Sequence, residues 1–163
     1  MKINEAVGRA GMLALVVGVV SLVNACTTID SLKPGVVRGT YESGFVKTTE
    51  GLALEVRDRS YDDIWAAADV AMTSAGTVSA GVYSGQLKVV ERHRDRGVIK
   101  SEEENFLGST RAYVGIFISP AKPGADAYVI EVSKILKSRT EVIQGRDWEV
   151  DLLRAIQAHL GVR

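Results

Sequence analysis

Two stretches near the middle of the chain alternate apolar residues with a period of two, and they constrain the fold more than anything else in it. In residues 111–119, Val114, Ile116 and Ile118 fall on one side and Tyr113 and Phe117 on the other. Residues 127–136 follow, with Tyr128, Ile130 and Val132 sharing a face. This is the pattern of β-strands seated on a core. The link between them, Pro120 to Asp126, is a turn-rich segment too short for a crossover, so the pair runs antiparallel. A sheet with such a face needs a second layer to cover it.

Flanking segments supply that layer. Leu52, Leu54 and Val56 alternate with Ala53, Glu55 and Arg57, which predicts another strand. Ser60 can then cap a helix whose first turn carries Asp62 and Asp63, where the helix dipole favours negative charge. Ile64, Trp65, Ala68, Ala71 and Met72 recur at helical spacing. Residues 86–92 and 98–103 read as a hairpin closing at Asp95-Arg96-Gly97, glycine supplying the positive φ of the turn. Trp148, Leu152, Ala155, Ile156 and Leu160 stripe a last helix that Gly161 ends. The predicted order is β-α-β-β-β-β-α, a two-layer α+β sandwich. Its antiparallel sheet has four to five strands with both helices on one face, and Trp65 and Trp148 form two halves of one core. Residues 51–163 hold this single domain.

The amino-terminal quarter differs. Lys2 and Arg9 precede an uncharged run from Ala10 to Val23, which ends at Asn24-Ala25-Cys26. A positive start, an apolar stretch and a small residue at a cut site define a secretory leader over residues 1–25. As a helix, Ala10 to Ala25 reaches about 24 Å at ~1.5 Å per residue, short of the ~30 Å hydrocarbon core. Residues 26–50 lack sustained periodicity and contain Pro34, Gly35, Gly39 and Gly44, which predicts a flexible tether with a short strand near Val36 or Phe45.

Val23-Asn24-Ala25-Cys26 resembles the lipobox of bacterial lipoproteins, with Asn24 departing from the small or apolar residue usual there. The resemblance implies cleavage before Cys26, acylation of its thiol, and membrane association through that lipid. Thr27 stands where an aspartate would favour the inner membrane, so the resemblance implies the periplasmic face of the outer membrane. A second resemblance rests on Tyr61-Asp-Asp-Ile-Trp65 opening a helix, the Arg96-Gly-Val-Ile99 hairpin and the closing Trp-and-Leu helix. This plan is similar to small periplasmic lipoprotein domains, such as accessory subunits of the outer-membrane β-barrel assembly machine. Those domains are non-enzymatic.

The residues point the same way. Twenty Lys and Arg balance twenty Asp and Glu, and the segment left after residues 1–25 is one charge negative, so nothing in bulk charge predicts nucleic acid as a partner. A single cysteine forms no internal disulfide. Cys26, His93 and His159 have no sequence context that makes them a nucleophile–base set, and the two histidines have no neighbours at metal-ligand spacing. Glu102 to Glu104 alternate in direction on a strand and do not converge on an ion. Gly76, Gly81 and Gly85 spell no phosphate-binding loop. No cofactor or metal is expected. Arg92, Arg94 and Arg96 form the densest positive cluster, and Tyr113 and Phe117 are expected to leave an aromatic patch on the open sheet face. Together they are the predicted interaction surface for an envelope protein. The alternative is a small ligand, lipid or glycan, held between sheet and helices.

Overall fold

The computed structural model describes residues 28–40, 44–75, 86–104, 108–137 and 147–162. Residues 1–25, expected to be a leader, Cys26, and Gly76, Gly81 and Gly85 lie outside the described residues. Within them, seven strands form one sheet: β1 (Val37–Thr40), β2 (Val46–Thr48), β3 (Gly51–Arg57), β4 (Gln86–His93), β5 (Val98–Glu104), β6 (Thr110–Pro120) and β7 (Ala127–Leu136). The spatial order is β1-β2-β3-β7-β6-β5-β4, every neighbouring pair antiparallel. Two meanders, β1–β3 and β4–β7, therefore meet at the β3–β7 pair. Helix α1 (Tyr61–Ser74) carries the chain from β3 to the far edge strand β4, and α2 (Trp148–Leu160) closes the chain.

The α+β class with an antiparallel sheet and two helices is as the sequence predicts, but the sheet is wider than four or five strands. The additional strands, β1 and β2, come from the segment expected to be a tether. They are four and three residues long, with an irregularity in the β1–β2 register between Val37 and Gly39, so neither is long enough to show an alternation.

Both helices begin as their sequences dictate. Ser60 Oγ accepts from the Asp63 amide at 3.1 Å, and Asp147 Oδ1 accepts from the Val150 amide at 3.2 Å. Gly161 ends α2 in the left-handed conformation. Helix α1 lies against β4 and β5 while α2 lies against β3 and β7, and the helices touch each other. Ile64, Met72, Ile99, Ile116, Ile130 and Leu152 are fully buried between the layers. Trp148 is fully buried in this core, and Trp65, partly buried and stacked on Tyr61 at 6.4 Å, packs against the same cluster, so both tryptophans contribute to one core.

The other sheet face is closed by the amino-terminal segment. Gly115, Ser133 and Gly51 stand in register across β6, β7 and β3, leaving a lane nearly free of side chains. A 3₁₀ turn at Ile29–Ser31 and the following residues to Val36 lie over this face. Leu32 packs with Tyr113 and Phe117, and a Cβ on Gly115 would meet the Leu32 side chain at 3.4 Å. The Ser133 hydroxyl donates to the Lys33 carbonyl at 3.4 Å. The Gly35 amide donates to both carboxylate oxygens of Glu131, at 2.8 and 2.9 Å. Glu131 is 4% exposed and also accepts from Thr48 Oγ1 at 2.5 Å. A buried carboxylate is tolerated where donors converge on it. Here the donors belong to the strap (residues 29–36) and β2 and the carboxylate to β7, so one side chain ties three segments together.

Candidate functional site

The predicted interaction surface divides into three parts in the structure. Tyr113 and Phe117 do point away from Val114, Ile116 and Ile118, but each is only 8% exposed. The expectation of an open aromatic patch is therefore corrected: Leu32, with Ile29 alongside, covers it. Alternation in β6 shows that two faces exist, but it carries no information about what a segment eighty residues away does.

Arg92 and Arg94 are exposed, but both are engaged by α1. Arg92 Nε lies 2.7 Å from Asp69 Oδ1, with Nη2 3.2 Å from Thr73 Oγ1. Arg94 Nη2 lies 2.5 Å from Asp62 Oδ1, and its carbonyl accepts from the Tyr61 hydroxyl. These arginines pin strand to helix. Exposed pairs of this kind contribute about 0.2–1 kcal/mol each, so their main effect is to orient the hairpin tip. Arg96 has no ion-pair partner among the described residues.

The tip is held rigidly. A 3₁₀ turn at Arg94–Arg96 ends at Gly97, whose φ is 65°. A Cβ there would stand 2.1 Å from the Ile118 carbonyl oxygen, and the Ile118 amide donates to the Gly97 carbonyl at 2.7 Å. Only glycine allows β6 to approach so closely. The result is a cleft of about 610 Å³ lined by Tyr61, Asp95, Arg96, Ile118, Pro120 and Tyr128. Tyr61 and Tyr128 lie 5.7 Å apart at a tilted 51°. Partial burial pushes the Tyr61 hydroxyl above its ordinary pKa, Arg94 pulling it down and Asp95 adding to the rise.

Arg96 also borders a second cleft, of about 430 Å³, on the strap side, with Asp30, Glu91, His93, Lys100 and Phe117. Apart from Arg96, its charges satisfy one another. Lys100 Nζ lies 3.3 Å from Glu91 and 3.9 Å from Asp30, and His93 Nε2 lies 3.6 Å from Glu91.

The remaining sequence candidates are scattered. His93 sits on β4 at the strap face and His159 is exposed on α2 at the opposite layer. Glu102 accepts from Thr110 Oγ1 at 3.1 Å and Glu104 pairs with Lys88 at 3.3 Å. Glu103, unlike its two neighbours, is buried at 4% exposure and lies 3.3 Å from Lys134 Nζ, itself nearly buried. Among the described residues no three His, Cys, Asp or Glu are grouped to hold a metal ion, and no helix is long and apolar enough to cross a membrane. The feature missed by sequence reasoning is Glu131. Its signal was an acidic residue opposite Phe117 in an otherwise apolar register, which calls for donors from elsewhere.

No family model matches the chain, and no curated protein is similar to it.

Proposed function

We propose that the protein is a lipid-anchored envelope protein on the periplasmic face of the outer membrane, and that it acts by binding another protein and not by catalysis. The anchor rests on Cys26 and the residues before it. Chain length adds a restraint: a single residue, Thr27, separates Cys26 from Thr28, so the two Cα atoms lie within about 7 Å even in an extended chain. Packing begins at Ile29. A lipid on Cys26 therefore holds the domain close against the bilayer and not at the end of a long tether.

The observation that carries protein binding is the free edge of β1. Val36, just before β1, and Val37, its first residue, are 73% and 64% exposed there, and among the described residues the strand pairs only with β2. Unpaired backbone groups beside apolar side chains accept an added strand from another chain. The space between sheet and helices, where the alternative reading would seat a ligand, is filled by Ile64, Met72, Ile116 and Leu152. Incorporation of a palmitate analogue by wild type and its loss in Cys26→Ala test the anchor. Co-purification from detergent-solubilised membranes, comparing wild type with a Val36→Lys, Val37→Lys variant, tests the edge. Partners retained by the folded variant would refute that surface.

A further inference from the structure

The cleft beside the hairpin tip combines three chemical features that the fold itself does not consume. Its floor is apolar and aromatic, with Tyr128 and Tyr61 half-buried over Ile118 and Pro120. On its rim stands Arg96, exposed and free of any carboxylate among the described residues, although every other arginine of that tip is paired. Beside it the exposed Asp95 offers a hydrogen-bond acceptor. The walls are fixed by the Tyr61 hydroxyl on the Arg94 carbonyl, the Arg94–Asp62 pair and the Gly97–Ile118 hydrogen bond. A preformed site loses little freedom when it is filled. At about 610 Å³ the cleft is in the size range of small-ligand sites, which join an apolar surface to a few placed polar groups.

The ligand that matches must present a flat apolar face to a tyrosine ring, an anionic group to a guanidinium, and hydroxyl donors to a carboxylate. Apolar rings without hydroxyls leave Asp95 unanswered. Neutral sugars leave Arg96 unanswered. Cationic ligands leave Arg96 unanswered. We propose that this cleft binds an acidic sugar, its ring lying on Tyr128 and Tyr61 and its carboxylate or phosphate paired with Arg96. Guanidinium recognises either anion through paired N–H donors. The proposal is independent of the lipid anchor and of the β1 edge, and it adds a ligand to a protein whose partner contact lies elsewhere on the sheet.

The test titrates the full chain with glucose, glucuronate and glucose 1-phosphate, following amide and tyrosine ring shifts by NMR. Acetate and inorganic phosphate serve as controls that lack the ring. Glucuronate, glucose 1-phosphate or both should bind at least tenfold more tightly than glucose and than the ringless anions, with shifts centred on Gly97, Tyr61 and Tyr128. Whichever anion prevails identifies the carboxylate or the phosphate as the natural group. Arg96→Gln, a change at an exposed position that leaves the fold intact, should remove the preference over glucose. Tyr128→Leu should weaken all three sugars, while His159→Gln on the far layer should change nothing. Equal affinity for glucose, equal affinity for the ringless anions, undiminished binding by Arg96→Gln, or no shifts at the cleft would each overturn the proposal.

Discussion

Ile116 and Phe117 are neighbours in β6 and both are buried, yet different kinds of structure bury them. Ile116 faces two amphipathic helices and belongs to a continuous apolar core running from Phe45 to Leu160. Phe117 faces a short strap and belongs to a cluster of three buried residues, beside a polar anchor at Glu131. The helix face is redundant, since each side chain touches several others. The strap face is closed by one leucine, one side-chain-free lane and one carboxylate. Removing a single group should therefore loosen the second face locally while damaging the first only through global stability.

The sharpest break is Ile116→Ala. A fully buried branched side chain lost from a close-packed layer costs about 2–5 kcal/mol, and chemical denaturation should show the whole domain losing that stability in one transition. Glu131→Ala should cost about 2–3 kcal/mol, because the Gly35 amide and the Thr48 hydroxyl lose their acceptor. Its signature should be local: hydrogen exchange accelerates at Gly35 while the Ile116 amide stays protected. Equal acceleration at both sites would show that the faces are one cooperative unit.

Gly35→Ala probes the same anchor from the strap side. A Cβ there stands 2.5 Å from Thr49 Oγ1 and 2.6 Å from the Glu50 amide nitrogen, so the strap must shift, at about 1–2 kcal/mol. Strap amides should exchange faster, with the helix core unchanged.

The smallest effect belongs to the helix side. Burial raises the pKa of Glu149, with Asp147 adding to the rise and Lys134 opposing it. The folded state therefore holds this proton more tightly than the unfolded chain. As pH rises above the ordinary glutamate value of 4.5, the unfolded chain ionises first and the folded state loses relative stability. Glu149→Gln should raise the melting temperature at pH 7, and the gain should fade below pH 4.5, where both states are protonated.

The elements whose periodicity is long enough were readable without coordinates. Strands β6 and β7, the capped start of α1 at Ser60, the Gly97 turn and the stripe of α2 all follow from patterns within ten or fifteen residues. The covering of Tyr113 and Phe117 did not, because it joins Leu32 to residues more than eighty positions away. Nor did the cleft: Tyr61, Arg96 and Tyr128 lie on a helix start, a hairpin tip and a strand end that only the folded sheet brings together.

By itself the sequence determined the layer that helices and long strands build, since amphipathic spacing specifies which side of each element leaves water. It also placed Cys26 close behind an uncharged apolar run. Only the tertiary structure decided the second layer. Residues 29–48 carry too few apolar groups, in runs too short, to form an ordered unit alone. Their described residues are held where Gly115, Ser133 and Gly51 open a lane, where Glu131 offers acceptors to the Gly35 amide and where Phe45 enters the main core, contacts that exist once the sheet has formed.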